Sequence, residues 1–83
     1  MNNNANNLLR GIIEDCKNNA NDELVLINEA EEMMNFLTGS GISKNSKQYR
    51  NRMNMEQFNV IYHYGRKDCF LDISTGLKNL LEQ

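Results

Sequence analysis

The chain has 83 residues, 40% of them hydrophobic, and a formal net charge of −2, which fits one small folded domain and excludes both a long disordered chain and a second core. It has no apolar run of the roughly 20 residues that a membrane span needs, and its first residues, MNNNANN, lack the basic and apolar regions of a signal peptide. Two cysteines exclude a disulfide framework, and although a single bridge between Cys16 and Cys69 stays open, the default expectation is a cytoplasmic protein with two free thiols.

The N-terminal third predicts an amphipathic helix over about residues 5–19, with residues 1–4 frayed because nothing apolar fixes them. One helical stripe carries the apolar side chains of this segment, at Leu8, Leu9, Ile12, Ile13 and Cys16. The asparagines at positions 18, 19 and 21 mark the expected end of this helix.

Residues 22–37 are open to two interpretations. Leu26, Ala30, Met33 and Leu37 follow helical spacing, and Gly39 is a plausible terminator, so a continuous second helix is favoured. The alternative is a short strand over residues 23–27, which would give the sheet predicted below a third strand, followed by a shorter helix.

A flexible loop is expected over residues 38–48, TGSGISKNSKQ, because two glycines and three serines surround a single large apolar residue, Ile42. Residues 49–57, YRNRMNMEQ, could extend a following strand backwards through a bulge or form a helical turn, and the pattern leaves both open.

The segment over residues 58–73, FNVIYHYGRKDCFLDI, predicts a β-hairpin. Phe58, Val60, Tyr62 and Tyr64 recur at every second position, which is the period of a strand with one buried face. A polar connection over residues 65–68 follows, and then Cys69, Leu71 and Ile73 alternate again.

Ser74 is expected to cap a short C-terminal helix, whose apolar side consists of Leu77, Leu80 and Leu81. The predicted fold is therefore α+β: two N-terminal helices, the β-hairpin and the closing helix, in one domain over residues 1–83.

No catalytic or metal signature emerges from the sequence. His63 and Cys69 would point to opposite faces of the predicted sheet, which excludes a nucleophilic pair. No CxxC or HxxxH spacing occurs, no calcium loop of the DxDxDG type is present, and Gly39-Ser-Gly41 lacks the ending of a phosphate-binding loop. We therefore expect a protein that is not an enzyme and has no cofactor.

Charge is unevenly distributed along the chain. Residues 1–41 have a net charge of −5, whereas residues 42–67 have a net charge of +5. The basic segment over residues 44–67 is compatible with a helix-turn-helix-like layout in which the predicted hairpin would serve as a wing. DNA or RNA binding is accordingly the second hypothesis for the function.

The first hypothesis is a small interaction protein, an adaptor or inhibitor, that binds and modulates a larger macromolecule. Unless a helix covers it, the second face of the predicted sheet would expose an apolar strip of Ile61, His63 and Phe70, and such strips mark contact sites. A protein partner is expected, nucleic acid is the alternative, a homodimer is plausible, and no membrane is involved. Arginines are suited to bidentate contacts with a carboxylate or a phosphate. The expected contact residues are three arginines and two residues adjacent to them in the sequence: Tyr49, Arg50, Arg52, Arg66 and Lys67.

Overall fold

The chain forms a hairpin of two long α-helices. The structure, a computed structural model, describes residues 3–83. Helix α1 spans Asn3–Gly39 and helix α2 spans Lys47–Leu81. A straight helix of this length measures about 55 Å, and the molecule measures 61 × 14 × 13 Å. The two helices therefore lie side by side and antiparallel, joined by residues 40–46.

The contact between the helices follows a heptad repeat, in which inward residues alternate spacings of three and four. On α1 the buried positions are Ile13, Cys16, Ala20, Glu23, Ile27, Ala30 and Leu37. On α2 the buried and half-buried positions are Tyr49, Met53, Glu56, Val60, His63, Lys67, Phe70, Ser74, Leu77 and Leu81. An average spacing of 3.5 residues keeps one narrow face of each helix against the other along the whole rod. We call this contact the seam.

The predicted β-hairpin over residues 58–73 is wrong, and so is the α+β fold class. Residues 3–83 contain no strand, and α2 runs without a break through the predicted turn. The segment carries apolar side chains on every side, since Ile61 lies between the alternating positions. An alternating pattern cannot then distinguish a strand from a helix by itself, and the long apolar face of α1 favours the helix through tertiary packing.

Residues 22–37 are helical, as the favoured interpretation predicted, and the alternative strand over residues 23–27 is wrong. The two predicted N-terminal helices are in fact one. Asparagine within a helix costs less than about 0.7 kcal/mol relative to alanine. Ala20, which lies among the asparagines, continues the buried seam.

The predicted C-terminal helix is the last part of α2 and is not a separate element. Ser74 does not cap a helix but is buried in the seam. Asn3 and Asn4, which were expected to be frayed, belong to α1, whereas Met1 and Asn2 lie outside the described residues.

The connection between the helices is held by serine hydroxyls and one glycine. Helix α1 ends at the predicted terminator, Gly39. The hydroxyl of Ser40 then donates to the carbonyl oxygen of Leu37 at 2.8 Å. Gly41 has a φ of +79°, in the left-handed region that glycine adopts without strain. Ser46 caps α2, because its hydroxyl oxygen accepts a hydrogen bond from the backbone N–H of Tyr49 at 3.1 Å.

Replacing Ser46 with alanine is expected to lower the free energy of unfolding by about 0.5–2 kcal/mol, because one N–H in the first turn of α2 loses its acceptor. Urea denaturation followed by circular dichroism measures the change. Ser43→Ala is the matched control, since the Ser43 hydroxyl accepts from the N–H of Asn45 within the loop and caps no helix. Equal losses in the two variants would contradict the assignment of Ser46 as the cap.

Candidate functional site

A layer of charged side chains interrupts the apolar seam near the middle of the rod. The carboxylate of Glu23 on α1 is 8% exposed and lies between two donors from α2. Arg66 Nε donates to Glu23 Oε1 at 2.6 Å, and His63 Nδ1 donates to Glu23 Oε2. We call Glu23, His63 and Arg66 the polar layer.

Aromatic rings hold the arginine of this layer in place. The guanidinium carbon of Arg66 lies 5.6 Å from the ring centre of Tyr62 and 5.7 Å from that of Phe70. Its Nη1 also donates to the Tyr62 hydroxyl at 3.4 Å. The ring of Tyr62 meets the ring of His63 edge-on, with their centres 5.1 Å apart. Stacking of this kind orients a guanidinium that is still partly in contact with water.

The polar layer fixes how the two helices align. Glu23 and His63 face each other across the seam. Sliding one helix by a heptad would place Glu23 opposite Glu56 in one direction and opposite Phe70 in the other. The first alternative brings two buried carboxylates together and the second places the Glu23 carboxylate against an apolar ring, and both cost more than the paired arrangement. The layer therefore selects one register among several that the apolar positions would accept.

The same contacts change the acidity of Glu23. The hydrogen bond from Arg66 lowers the pKa of the Glu23 carboxyl below its ordinary value of 4.5. Burial opposes this shift, and His63 adds to it. Reciprocally, the hydrogen bond to Glu23 raises the pKa of Arg66.

Because the folded state lowers the pKa of Glu23, the ionised carboxylate stabilises the hairpin above about pH 4.5, and this contribution is lost as the pH falls through the lowered folded value. Glu23→Gln is expected to unfold at a lower temperature than the wild type at pH 7. The difference in melting temperature should shrink as the pH falls below 4.5. Thermal unfolding between pH 2.5 and pH 7 measures this, with Glu31→Gln on the exposed face of α1 as the control. A difference that does not vary with pH would contradict the role of the Glu23 carboxylate.

A shallow groove lies beside the polar layer, between the two helices. Its volume is about 290 Å³, and its lining residues come from both helices: Leu26, Glu29, Ala30, Met33, Arg52, Glu56, Asn59 and His63. The buried carboxylate of Glu56 accepts from Arg52 Nε at 3.1 Å. His63 is therefore near a concavity, but its Nδ1 is bonded to Glu23.

The groove offers no recognisable metal site. Within residues 3–83, histidine, cysteine, aspartate and glutamate nowhere form a group of three that could hold a metal ion. His63 and Cys69 are separated along α2 by about 9 Å of rise and about 120° of rotation. The helix therefore keeps them apart, just as the predicted sheet would have done.

The five predicted contact residues do not form one surface. Tyr49 is buried in the seam near the loop. Arg52 and Arg66, which lie about 21 Å apart along α2, are bound to Glu56 and Glu23. The Lys67 ammonium lies 4.8 Å above the ring of Tyr64. Arg50 is exposed near the loop. Arg66 and Lys67 were expected at the tip of a β-hairpin and instead lie in the middle of a helix.

Sequence reasoning missed a continuous apolar surface on α2, on the side that faces away from α1. Phe58 is 76% exposed and Ile61 is 70% exposed, and Met55 and Tyr62 are more than half exposed. We call Met55, Phe58, Ile61 and Tyr62 the outer stripe. The predicted apolar strip contained Ile61, but His63 and Phe70 turn towards the seam and are half buried. Positions 55, 58 and 62 have helical spacing, which would have indicated this surface. Interpreting residues 58–73 as strands hides that spacing.

A shallow depression accompanies the outer stripe. It has a volume of about 490 Å³ and lies beside Met55 and Phe58, with Asn51, Asn54 and Asn59 completing its wall. Large apolar side chains around a depression on one exposed helix face are typical of a surface that receives a side chain from a partner.

No helix within residues 3–83 is both long enough and apolar enough to cross a membrane. Comparisons with protein-family models, with curated proteins and with solved structures found nothing that matches this chain.

Proposed function

We propose that this chain is a small non-enzymatic interaction protein that binds and modulates a larger protein partner through the outer stripe. The observation that supports the proposal is the exposure of four large apolar side chains on one face of α2. Leaving this face in water is unfavourable, at about 25 cal/mol for each Å² of apolar surface. A surface of this kind marks a contact site in small folded proteins.

The shape of the outer stripe favours a helical partner. Met55, Phe58 and Tyr62 lie at the first, fourth and eighth positions of a heptad-like row, which matches the anchors used when two helices pack together. An extended peptide that binds by strand addition would need an open sheet edge, and residues 3–83 contain no strand. The partner that fits is therefore an amphipathic helix or a helix pair.

The polar layer supports the same function by keeping the rod in one register. A fixed register keeps the side chains of α2 in defined positions relative to α1, so the outer stripe is preorganised before it meets a partner. Preorganisation raises affinity because fewer side chains lose freedom on binding. A cytoplasmic location is part of this proposal, since both Cys16 and Cys69 are free.

Nucleic-acid binding through residues 44–67 is the less supported alternative. The helix-turn-helix layout needs a recognition helix set at a steep angle to its neighbour, whereas α1 and α2 lie antiparallel. Arg52 and Arg66 are already bound to carboxylates, which leaves Lys44, Lys47 and Arg50 near the loop for phosphates. Binding to random duplex DNA that weakens steeply between about 50 and 200 mM salt would favour this alternative.

Phe58→Glu is expected to abolish partner binding while leaving the hairpin folded. The change places a charge at the centre of the outer stripe, and loss of a buried Phe contact of about 1.5–3 kcal/mol alone weakens binding roughly tenfold or more. Quantitative affinity capture with wild type and variant bait measures the loss for each captured protein. Circular dichroism verifies that the variant remains helical.

Asn79→Glu is the matched control. Asn79 occupies the same heptad position as Phe58 three heptads further along α2, is exposed, and lies outside the outer stripe. A partner retained by the wild type and by Asn79→Glu but lost by Phe58→Glu supports the proposal. Capture that is identical for all three proteins would overturn it.

A further inference from the structure

An exposed row on α2 contains Met55, Phe58 and Tyr62 of the outer stripe and has the same spacing in both directions along the helix. Its successive positions are 51, 55, 58, 62, 65 and 69, with spacings of four, three, four, three and four. The row is centred level with Val60, which itself lies in the seam: Phe58 and Tyr62 lie two positions from this level, and Met55 and Gly65 lie five positions from it. A row with this symmetric spacing superposes, position by position, on the same row of a second copy under a two-fold rotation.

We propose that the outer stripe binds a second copy of this chain, with the two α2 helices packed antiparallel about a two-fold axis near Val60. This inference rests on the proposed function for the choice of surface: a second copy covers the outer stripe in the absence of the larger partner, and the two compete for it. In this arrangement Phe58 meets Tyr62 of the second copy. Met55 meets Gly65 of the second copy, and Asn51 meets Cys69 of the second copy.

The pairing of side-chain sizes supports the antiparallel arrangement. Gly65 has open space beside it, because an added Cβ would meet no atom within 4 Å apart from its chain neighbours and the nearby backbone of its own helix. It can therefore accept the long side chain of Met55, which adapts readily to irregular gaps. Phe58 and Tyr62 form an aromatic pair, worth about 0.5–1.5 kcal/mol beyond the area that they bury. The depression beside Phe58 lies level with Tyr62 of the second copy.

The charge distribution along α2 also favours antiparallel over parallel packing of the two α2 helices. Residues 47–67 of α2 have a net charge of +4, and residues 68–83 have a net charge of −2. A two-fold axis level with residue 60 places residues 47–52 of one α2, with a net charge of +3, opposite residues 68–73 of the other, with a net charge of −2, which is favourable. Parallel packing would place like charges side by side and would leave Gly65 facing Gly65 across a gap.

The hairpin exposes more surface than a compact monomer of its mass, and the excess is about the area that an interface with a second copy would bury. A compact monomer of 9.6 kDa exposes about 5,100 Å², whereas this hairpin exposes 6112 Å². The excess of about 1,000 Å² is similar to the roughly 800 Å² that each partner buries in an interface of standard size. Two hairpins joined through α2 would form a four-helix assembly with a second apolar layer.

Analytical ultracentrifugation of the full chain tests the association. The wild type and Asn79→Glu are expected to sediment as dimers at concentrations of tens of micromolar, and Phe58→Glu as a monomer with at least a tenfold weaker self-association. A monomeric wild type overturns the inference. Should Phe58→Glu also fail to reduce capture of another protein, the proposed function fails separately.

Disulfide trapping tests the direction and register. Asn51→Cys, incubated with oxidised glutathione, is expected to form a covalent dimer through Cys69 of the second copy. Within one chain these positions lie about 27 Å apart along the helix, far beyond the roughly 7 Å between Cα atoms that a disulfide allows. The pair cannot therefore form within one chain.

The double variant Asn51→Cys, Cys69→Ser is expected to lose the covalent dimer, and Asn79→Cys should form little of it. A dimer that persists in the double variant would indicate parallel contact between the two positions 51 and would overturn the antiparallel arrangement. A wild type that is crosslinked efficiently through Cys69 alone would overturn it equally.

Discussion

Ile27→Ala is expected to remove about 2–5 kcal/mol from the free energy of unfolding. Ile27 is the largest side chain that the described part of the molecule encloses completely, with 0% exposed. It lies in the seam one turn from Glu23, and truncating it opens a cavity that two rigid helices cannot close. A chain of this size has a total stability of about 4–12 kcal/mol, so the variant should lose a large share of it and unfold at a clearly lower urea concentration.

Urea titration at a fixed protein concentration measures this loss, because self-association would otherwise contribute to the apparent stability. Val25→Ala on the same helix is the matched control. Val25 is more than half exposed, so this change should alter the stability by well under about 1 kcal/mol. Losses of similar size in both variants would mean that residue 27 does not face the seam.

Asp68→Pro is expected to destabilise the protein by about 3 kcal/mol or more and to lower its helix content. Asp68 lies in the interior of α2, and its side chain is exposed. Proline there removes a backbone hydrogen bond and collides with the preceding turn of the helix. In the β-hairpin that the sequence pattern predicts, residues 65–68 would instead be a loop, in which proline is much better tolerated.

Asp68→Ala controls for loss of the carboxylate, which lies only 3.9 Å from Lys67 Nζ at the surface. It should leave the circular dichroism at 222 nm unchanged and slightly stabilise the helix, because alanine has the higher helix propensity. Full helix content and stability in Asp68→Pro would contradict a continuous α2.

The parts of the fold that the sequence predicted correctly are those where helical spacing had no competitor. Leu8 to Cys16 form a clear helical stripe, and Gly39 ends α1 as expected. The continuation through residues 18–21 was missed because Ala20 is a small seam residue surrounded by asparagines. Small and polar seam positions give little hydrophobic signal, so a heptad that uses them is difficult to recognise.

The error over residues 58–73 has a different cause. Val60, His63 and Phe70 belong to the seam, while Phe58, Ile61 and Tyr62 belong to the outer stripe. Because the helix has apolar residues on both of these faces, the apolar positions in the sequence also alternate with a period of two. Only the presence of α1 alongside selects the helix, and that is a long-range interaction which local periodicity does not contain.

The polar layer could not be predicted for the same reason. Glu23 and His63 are 40 positions apart in the chain, and nothing local links them. Arg66 is suited to bind a carboxylate or a phosphate, and the carboxylate that it binds is Glu23 of the same molecule. The outer stripe could not be predicted either, because its residues lie on the same side of the chain only when α2 is helical.

The backbone chemical shifts of residues 58–73, measured by NMR on the isotope-labelled full chain, test the central claim most directly. Both the outer stripe and the polar layer exist only if this segment is helical. The structure predicts Cα shifts displaced downfield from random-coil values at every position, with no interruption over residues 65–68. Upfield Cα shifts over residues 58–64 and 69–73, separated by a turn, would restore the β-hairpin and contradict the helical rod together with both proposals built on it.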